Sequence, residues 1–175
     1  MQTYSIKDLK DNYYKAFYDF YFTSFPIHEQ RNEQQQIYAF GQEAYHLDCC
    51  ILDDKVAGFI AYWDFNDLIY IEHLAVNPEM RGKNIGTEML SEFIKKDKPV
   101  ILEIDPLVDE VSRKRLQFYQ RLGFVMNNYA HHHPAYDKQY PPHELIVLSV
   151  PAILTQPQYD SFYKNLCEVV MLSDK

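Results

Sequence analysis

Glycine is scarce in this chain, at five in 175 residues. With so few, and with no low-complexity tract or repeat, nothing reads as an interdomain linker, and the length suits one domain over residues 1–175. Long apolar runs are missing too. No stretch approaches the ~18 residues that cross a bilayer, which excludes a membrane helix. The first residues, 1–11, lack a basic start followed by an apolar segment, so no secretory signal is read there. Cysteine is limited to Cys49, Cys50 and Cys167, an odd number without metal-type spacing. That argues against a disulfide framework and fits reduced thiols in a cytoplasm. Basic residues are outnumbered, 17 against 25 acidic, for a net charge of −8. A net acidic surface argues against generic nucleic-acid binding, which rests on phosphate neutralisation, and leaves room for a cationic substrate.

Aromatic residues are plentiful, with 15 Tyr and 11 Phe in a chain that is 47% hydrophobic. Disordered chains are poor in aromatics, and a chain of this size buries roughly 70% of its unfolded surface. The pattern predicts a first strand at 1–6, an aromatic helix over 7–25 that Pro26 interrupts, and a second helix over 29–43. Strands follow at 44–52 and 56–65, joined by a turn at Asp53-Asp54-Lys55. A third, at 68–76, is apolar on both faces, as a central strand is. Cys49 and Cys50, adjacent on a strand, point to opposite faces, and so do Glu72 and His73 by the same alternation. A helix over 84–96, a strand at 100–104 and a helix capped by Asp109 and ended at Gly123 come next. Strands at 124–129 and 145–150 flank a loop rich in His, Pro and Tyr, and residues 156–171 form a last, additional helix. A meander followed by strand–helix–strand crossovers gives an α/β (α+β) fold, a mixed sheet with helices on both faces.

The informative stretch runs from Tyr70 to Thr87. An apolar strand enters a tight loop with two glycines and two cations, Arg81 and Lys83, and a helix begins at once. Free backbone N–H groups at a helix start attract anions, and glycine permits close approach. The expectation is a phosphate or pyrophosphate site. Neither G-x-x-x-x-G-K-[ST] nor G-x-G-x-x-G is present, which sets aside a P-loop and a dinucleotide fingerprint.

This stretch resembles the pyrophosphate signature of the GNAT family of N-acetyltransferases: Arg or Gln, two residues, Gly, one residue, then Gly or Ala. Residues 81–86 match it, with Asn84 in place of the first glycine; Asn tolerates the left-handed backbone better than most residues. Leu74, Ala75 and Val76 resemble the family's acyl-CoA strand, and Tyr119 with Gly123-Phe124 resembles its Tyr, three residues, Gly-Phe ending. The resemblance covers most of residues 7–150. It implies a mainly antiparallel sheet with a central split and acetyl-CoA as co-substrate. It also implies direct transfer of the acetyl group to a primary amine in a ternary complex. Leu74, Ala75, Val76, Arg81, Gly82, Lys83, Asn84, Ile85, Gly86 and Thr87 would bind the cofactor. Ser112 stands where many members carry the asparagine that holds pantetheine.

The chemistry sets further demands. A protonated amine must lose a proton, an oxyanion needs a donor, and the leaving thiolate needs an acid. Tyr119 stands at the family's acid position. Glu72 and Glu103, carboxylates on apolar strands, are the candidate bases. By the same resemblance, residues 131–143 fall where the family closes its acceptor site, and Glu29 or Glu33 on the opposite wall would hold a cationic acceptor. No metal site is assigned, because adjacent histidines such as His131-His132-His133 rarely converge on one ion. The acceptor is a small-molecule or peptide amine, with the acidic balance tilting slightly towards a small cation. Sheet edges leave a homodimer open. The competing reading is a non-catalytic acyl-CoA-binding sensor or partner module on the same fold.

Overall fold

The turn expected at Asp53-Asp54 closes the central hairpin. Both residues hold left-handed backbone, φ 51° and 58°, as a type I′ turn requires, and Leu52 pairs directly with Lys55. The structure is a computed structural model that describes residues 2–80 and 82–172, so Arg81 lies outside the described residues. Seven strands form one sheet in the order β1-β2-β3-β4-β5-β9-β6. They are β1 (Gln2–Ile6), β2 (Tyr45–Leu52), β3 (Lys55–Asp64), β4 (Ile69–Val76), β5 (Val100–Ile104), β6 (Val125–Met126) and β9 (Ile146–Val150). Only β4 and β5 run parallel; every other neighbouring pair is antiparallel. A small ladder, β7 (His132–His133) with β8 (His143–Glu144), stands beside this sheet.

Helices cover both faces. Against one face lie α1 (Tyr14–Ser24), α2 (Glu33–Phe40) and α5 (Gln156–Asn165), the last continued by a π turn, Leu166–Val170. Phe17, Tyr21, Phe59, Trp63, Tyr70 and Phe162 anchor that core. Against the other face lie α3 (Ile85–Phe93) and α4 (Glu110–Arg121), which bury Leu90, Phe93, Leu116 and Tyr119 over Ile60, Ile71 and Leu102. Cys49 and Cys50 fall in different cores, as their alternation on β2 requires.

Three elements are shorter than the sequence pattern suggests, and local side-chain bonds explain each. The first helix begins at Tyr14 rather than residue 7, because the carboxylates of Asp8 and Asp11 accept from the backbone N–H of Lys10 and Tyr13 and make turns instead. The second starts at Glu33 rather than residue 29. Asn32 and Gln35 form a reciprocal capping box there, and Ile27–Glu29 is a separate 3-10 turn. The strand expected over 124–129 stops at Met126. The Asn127 backbone N–H still donates to Val147 O at 2.9 Å, while its buried side-chain amide bonds Val147 O, Ser149 Oγ and Leu154 N–H and ties the chain to the segment after β9.

Phe17 is fully buried and meets Phe59 edge-on, with ring centroids 4.9 Å apart. Phe17→Ala therefore lowers the unfolding free energy by about 3–5 kcal/mol, measured by urea titration followed by circular dichroism. A loss below about 1 kcal/mol would contradict the position of α1 in the core.

Candidate active site

β4 and β5 pair only at Ile69↔Val100 and Tyr70↔Ile101, then separate. From Glu72 to Val76 the β5-facing edge of β4 is unpaired with any described strand, and the opening becomes a cleft of about 620 Å³. Its lining includes Glu72 to Val76, Glu103, Tyr119 and His133. A second cavity of about 360 Å³ adjoins it at Leu74, Val76 and Phe118, which line both.

The smaller cavity contains the start of α3. Gly82, Asn84, Ile85, Gly86 and Thr87 line it, while Lys83 is exposed. Asn84 takes left-handed backbone at φ 57°, so asparagine supports the turn where the related motif has glycine. A Cβ on Gly86 would come within 3.1 Å of Val76 and 3.6 Å of Phe118, so glycine lets α3 pack closely on β4. The first-turn N–H groups of α3 can receive an anion there.

Glu72 is held differently from a free base. The ladder pairs Ala61 with His73 and Tyr62 with Ile71, so Glu72 is the extra residue of a β-bulge. The bulge cancels the expected alternation. Glu72 and His73 share one face, with His73 Nδ1 3.8 Å from Glu72 Oε1. The carboxylate accepts from Arg31 Nε at 2.8 Å, Trp63 Nε1 at 2.7 Å and the Tyr136 hydroxyl at 2.7 Å. Burial alone would raise its pKa, but the Arg31 guanidinium, aided by His73, Trp63 and Tyr136, holds it at about 2. A carboxylate so fully engaged is a structural anion and a poor base. His73 is buried, and its pKa is lowered by that burial. Its Nε2 donates to Glu29 O at 2.9 Å, and the ring packs edge-on to Tyr21 and Phe25.

Glu103 lies at the floor of the cleft. The Tyr70 hydroxyl donates to Oε2 at 2.6 Å, and His131 Nε2 bonds Oε1. Burial opposes its charge, yet His133, His131 and Tyr70 together pull its pKa below the usual value. His131 Nδ1 lies 2.8 Å from the Tyr159 hydroxyl, so α5 braces this carboxylate through His131. His133 is the residue the sequence reading treats only as part of a wall. It is buried and lines the cleft. Its Nδ1–H donates to Pro134 O at 2.6 Å, which leaves Nε2 as the acceptor, 3.9 Å from Glu103 Oε2. The three consecutive histidines carried no periodic signal that could separate their roles.

The remaining candidates divide. Tyr119 lines the cleft, and its hydroxyl has no hydrogen-bond partner among the described residues. Burial pushes its pKa to about 12, so it stays protonated at neutral pH. Ser112 is not brought to the cleft. It is the N3 residue of the α4 capping box, its hydroxyl bonded to the Asp109 backbone at 3.0 and 3.2 Å. Glu29 lines the cleft, whereas Glu33 is exposed at the start of α2.

Glu72→Gln leaves the buried Arg31 guanidinium beside a neutral amide and costs about 3–5 kcal/mol of stability. A folded pKa of about 2 against the ordinary 4.5 means that the Glu72 contribution is complete above 4.5 and fades as pH falls towards 2. Urea titrations across that window show a steeper acid decline for the wild type than for the variant; parallel pH dependences would refute the ion-pair role.

Residues 11–124 match the family model described as "Acetyltransferase (GNAT) family". Among curated proteins, one named "Putative acetyltransferase YjbC" from Bacillus subtilis (strain 168) is 29% identical over 104 residues, which is 57% of this chain. The chain spans about half, 52%, of that relative's length. A solved structure described as "Putative acetyltransferase from GNAT family from Bacteroides thetaiotaomicron" superposes with a TM-score of 0.89 at 25% identity, covering 98% of both chains. The ribosomal-protein-S18-alanine N-acetyltransferase from Escherichia coli shares the fold at a TM-score of 0.59 and 17% identity, over 88% of this chain and 96% of its own. With the split sheet, the α3 cradle and the cleft between them, the chain belongs to the GNAT acetyltransferase family.

Proposed function

We propose that the protein transfers an acetyl group from acetyl-CoA to a primary amine by direct attack in a ternary complex. The observation that carries this reading is the pair of adjoining cavities, one at the start of α3 and one in the split between β4 and β5, which share Leu74, Val76 and Phe118. Two substrates entering from opposite ends meet at that shared wall. The α3 end offers N–H donors and glycine for a pyrophosphate, with Arg81 and Lys83 nearby in sequence. Two solved structures of similar fold, an acetyltransferase from Bacillus subtilis and one from Elizabethkingia anophelis, hold CoA and acetyl-CoA respectively.

On the acceptor side the lining carries Glu29, Glu103 and Asp105, with the buried Glu72 behind them. Asp105 is paired with Arg115, which also lines the cleft, so the charge that would meet a small cationic amine is that of Glu29 and Glu103; about 620 Å³ is the size of a small-molecule pocket. His133 Nε2 accepts the ammonium proton, and Glu103 is its positioning residue and stabilises the imidazolium that results. The neutral amine then attacks the acetyl carbonyl. Backbone N–H groups on the unpaired edge of β4, at Leu74 or Val76, stabilise the oxyanion. As the adduct collapses with cleavage of its C–S bond, the Tyr119 hydroxyl, protonated at neutral pH with a pKa of about 12, protonates the leaving thiolate, and the second proton shed by the acylated nitrogen restores the phenol. This scheme takes the base role from both Glu72 and Glu103 and gives it to His133.

Titration calorimetry with acetyl-CoA, followed by a thiol-release screen over amines, tests the reading. Micromolar binding with amine-dependent CoA release is the expected result. Binding without turnover over any amine would favour the non-catalytic acyl-CoA-binding module, and no binding would refute both. With an accepted amine, Tyr119→Phe and His133→Gln each lower kcat by about 10²-fold or more, with acetyl-CoA affinity nearly unchanged. An unaltered kcat in either variant would remove that residue from the chemistry.

A further inference from the structure

His28, Glu29 and His143 come from two segments that face each other across the mouth of the cleft. One ligand atom from each side chain lies within 4.8 Å of the other two. His28 Nε2 is 3.7 Å from Glu29 Oε1, and the His28 and His143 rings have centroids 5.0 Å apart. A tetrahedral zinc with bonds near 2.0–2.2 Å places its ligand atoms about 3.3 Å apart, so rotation of these side chains suffices to close the set. None of the three side chains is hydrogen-bonded to another described residue, and Glu29 has no Lys or Arg partner among them.

The backbone under the cluster is fixed. Glu29 O accepts from the buried His73, and the Gln30 amide donates to Phe22 O at 2.9 Å and Phe25 O at 2.5 Å. His143 pairs with His133 in the β7–β8 ladder. All three residues are half-buried.

We propose that His28, Glu29 and His143 bind one divalent transition-metal ion of the zinc class. Two imidazoles and one carboxylate suit zinc, cobalt or nickel better than magnesium or calcium, which prefer all-oxygen sets. Glu29 and His143 line the cleft, so an ion held there would stand at its wall. The ion ties the 3-10 turn Ile27–Glu29 to the β7–β8 ladder, one acceptor wall to the other. It also occupies Glu29. If the amine-acceptor reading above holds, the metal competes with a cationic acceptor; metal binding itself does not depend on that reading.

The test uses the full chain, freed of any affinity tag and treated with chelator. Zinc is titrated by calorimetry, and cobalt is titrated by visible absorption, without acetyl-CoA or amine. The expected result is one equivalent of zinc, with affinity lowered at least tenfold in His28→Ala and in His143→Ala and unchanged in His132→Ala and Cys167→Ser. Cobalt gives d–d bands without a thiolate charge-transfer band. Circular dichroism melts confirm that the variants fold, and Glu29→Gln serves as a third variant if a histidine variant does not. No zinc uptake, uptake unaffected by these substitutions, or a thiolate band would each overturn the assignment.

Discussion

The ion pair between Arg31 and Glu72 is the contact on which the acceptor side of the molecule depends. Both side chains are buried, at 1% and 0% exposure, so each charge is tolerable only beside the other. Arg31 Nε binds the carboxylate, Nη2 donates to Val170 O at 2.6 Å, and the guanidinium lies over the rings of Trp63 and Tyr136. Glu72 in turn receives Trp63 from β3 and Tyr136 from the histidine-rich loop. Five separated segments therefore converge on one pair of charges: the link before α2, the β3 strand, the β4 bulge, the 131–143 loop and the turn after α5. The energy of that pair is spent on position. It sets the loop that carries His133 and the turn that carries Glu29 against the open edge of β4.

The second constraint is the short parallel pairing of β4 and β5. Two paired residues, Ile69↔Val100 and Tyr70↔Ile101, join the strands at one end, and beyond them the two strands part. The backbone edge exposed by that separation would be a liability elsewhere. Here it faces a cleft in which polar groups of two substrates can satisfy it. The β-bulge at Glu72 sits where the strands part and turns two polar residues, Glu72 and His73, to the same side. The glutamates that look equivalent in sequence consequently differ in role. Glu72 is fixed by an arginine, whereas Glu103 faces the cleft among Tyr70, His131 and His133.

Much of this was legible in the chain. The hairpin at Asp53-Asp54, the cap at Asp109, the stop at Gly123 and the strand–loop–helix stretch from Tyr70 to Thr87 depend on local rules of turn, cap and period. Those rules act within a few residues, so the sequence determined element order, fold class and the strand–loop–helix turn that opens α3. The left-handed backbone of Asn84 belongs to the same class. What only the tertiary structure decided depends on partners far apart in sequence. The Glu72 partners Arg31 and Tyr136 are 41 and 64 residues away, and Glu103 meets His131 over 28. No periodicity records such meetings, and one inserted bulge residue overturned the alternation that placed Glu72 and His73 on opposite faces. A side chain's charge state and its freedom to react are set by what surrounds it in space. For that reason the identities of the candidate residues were written in the sequence, while the separation of a structural carboxylate, Glu72, from the cleft-lining His133 came only with the fold.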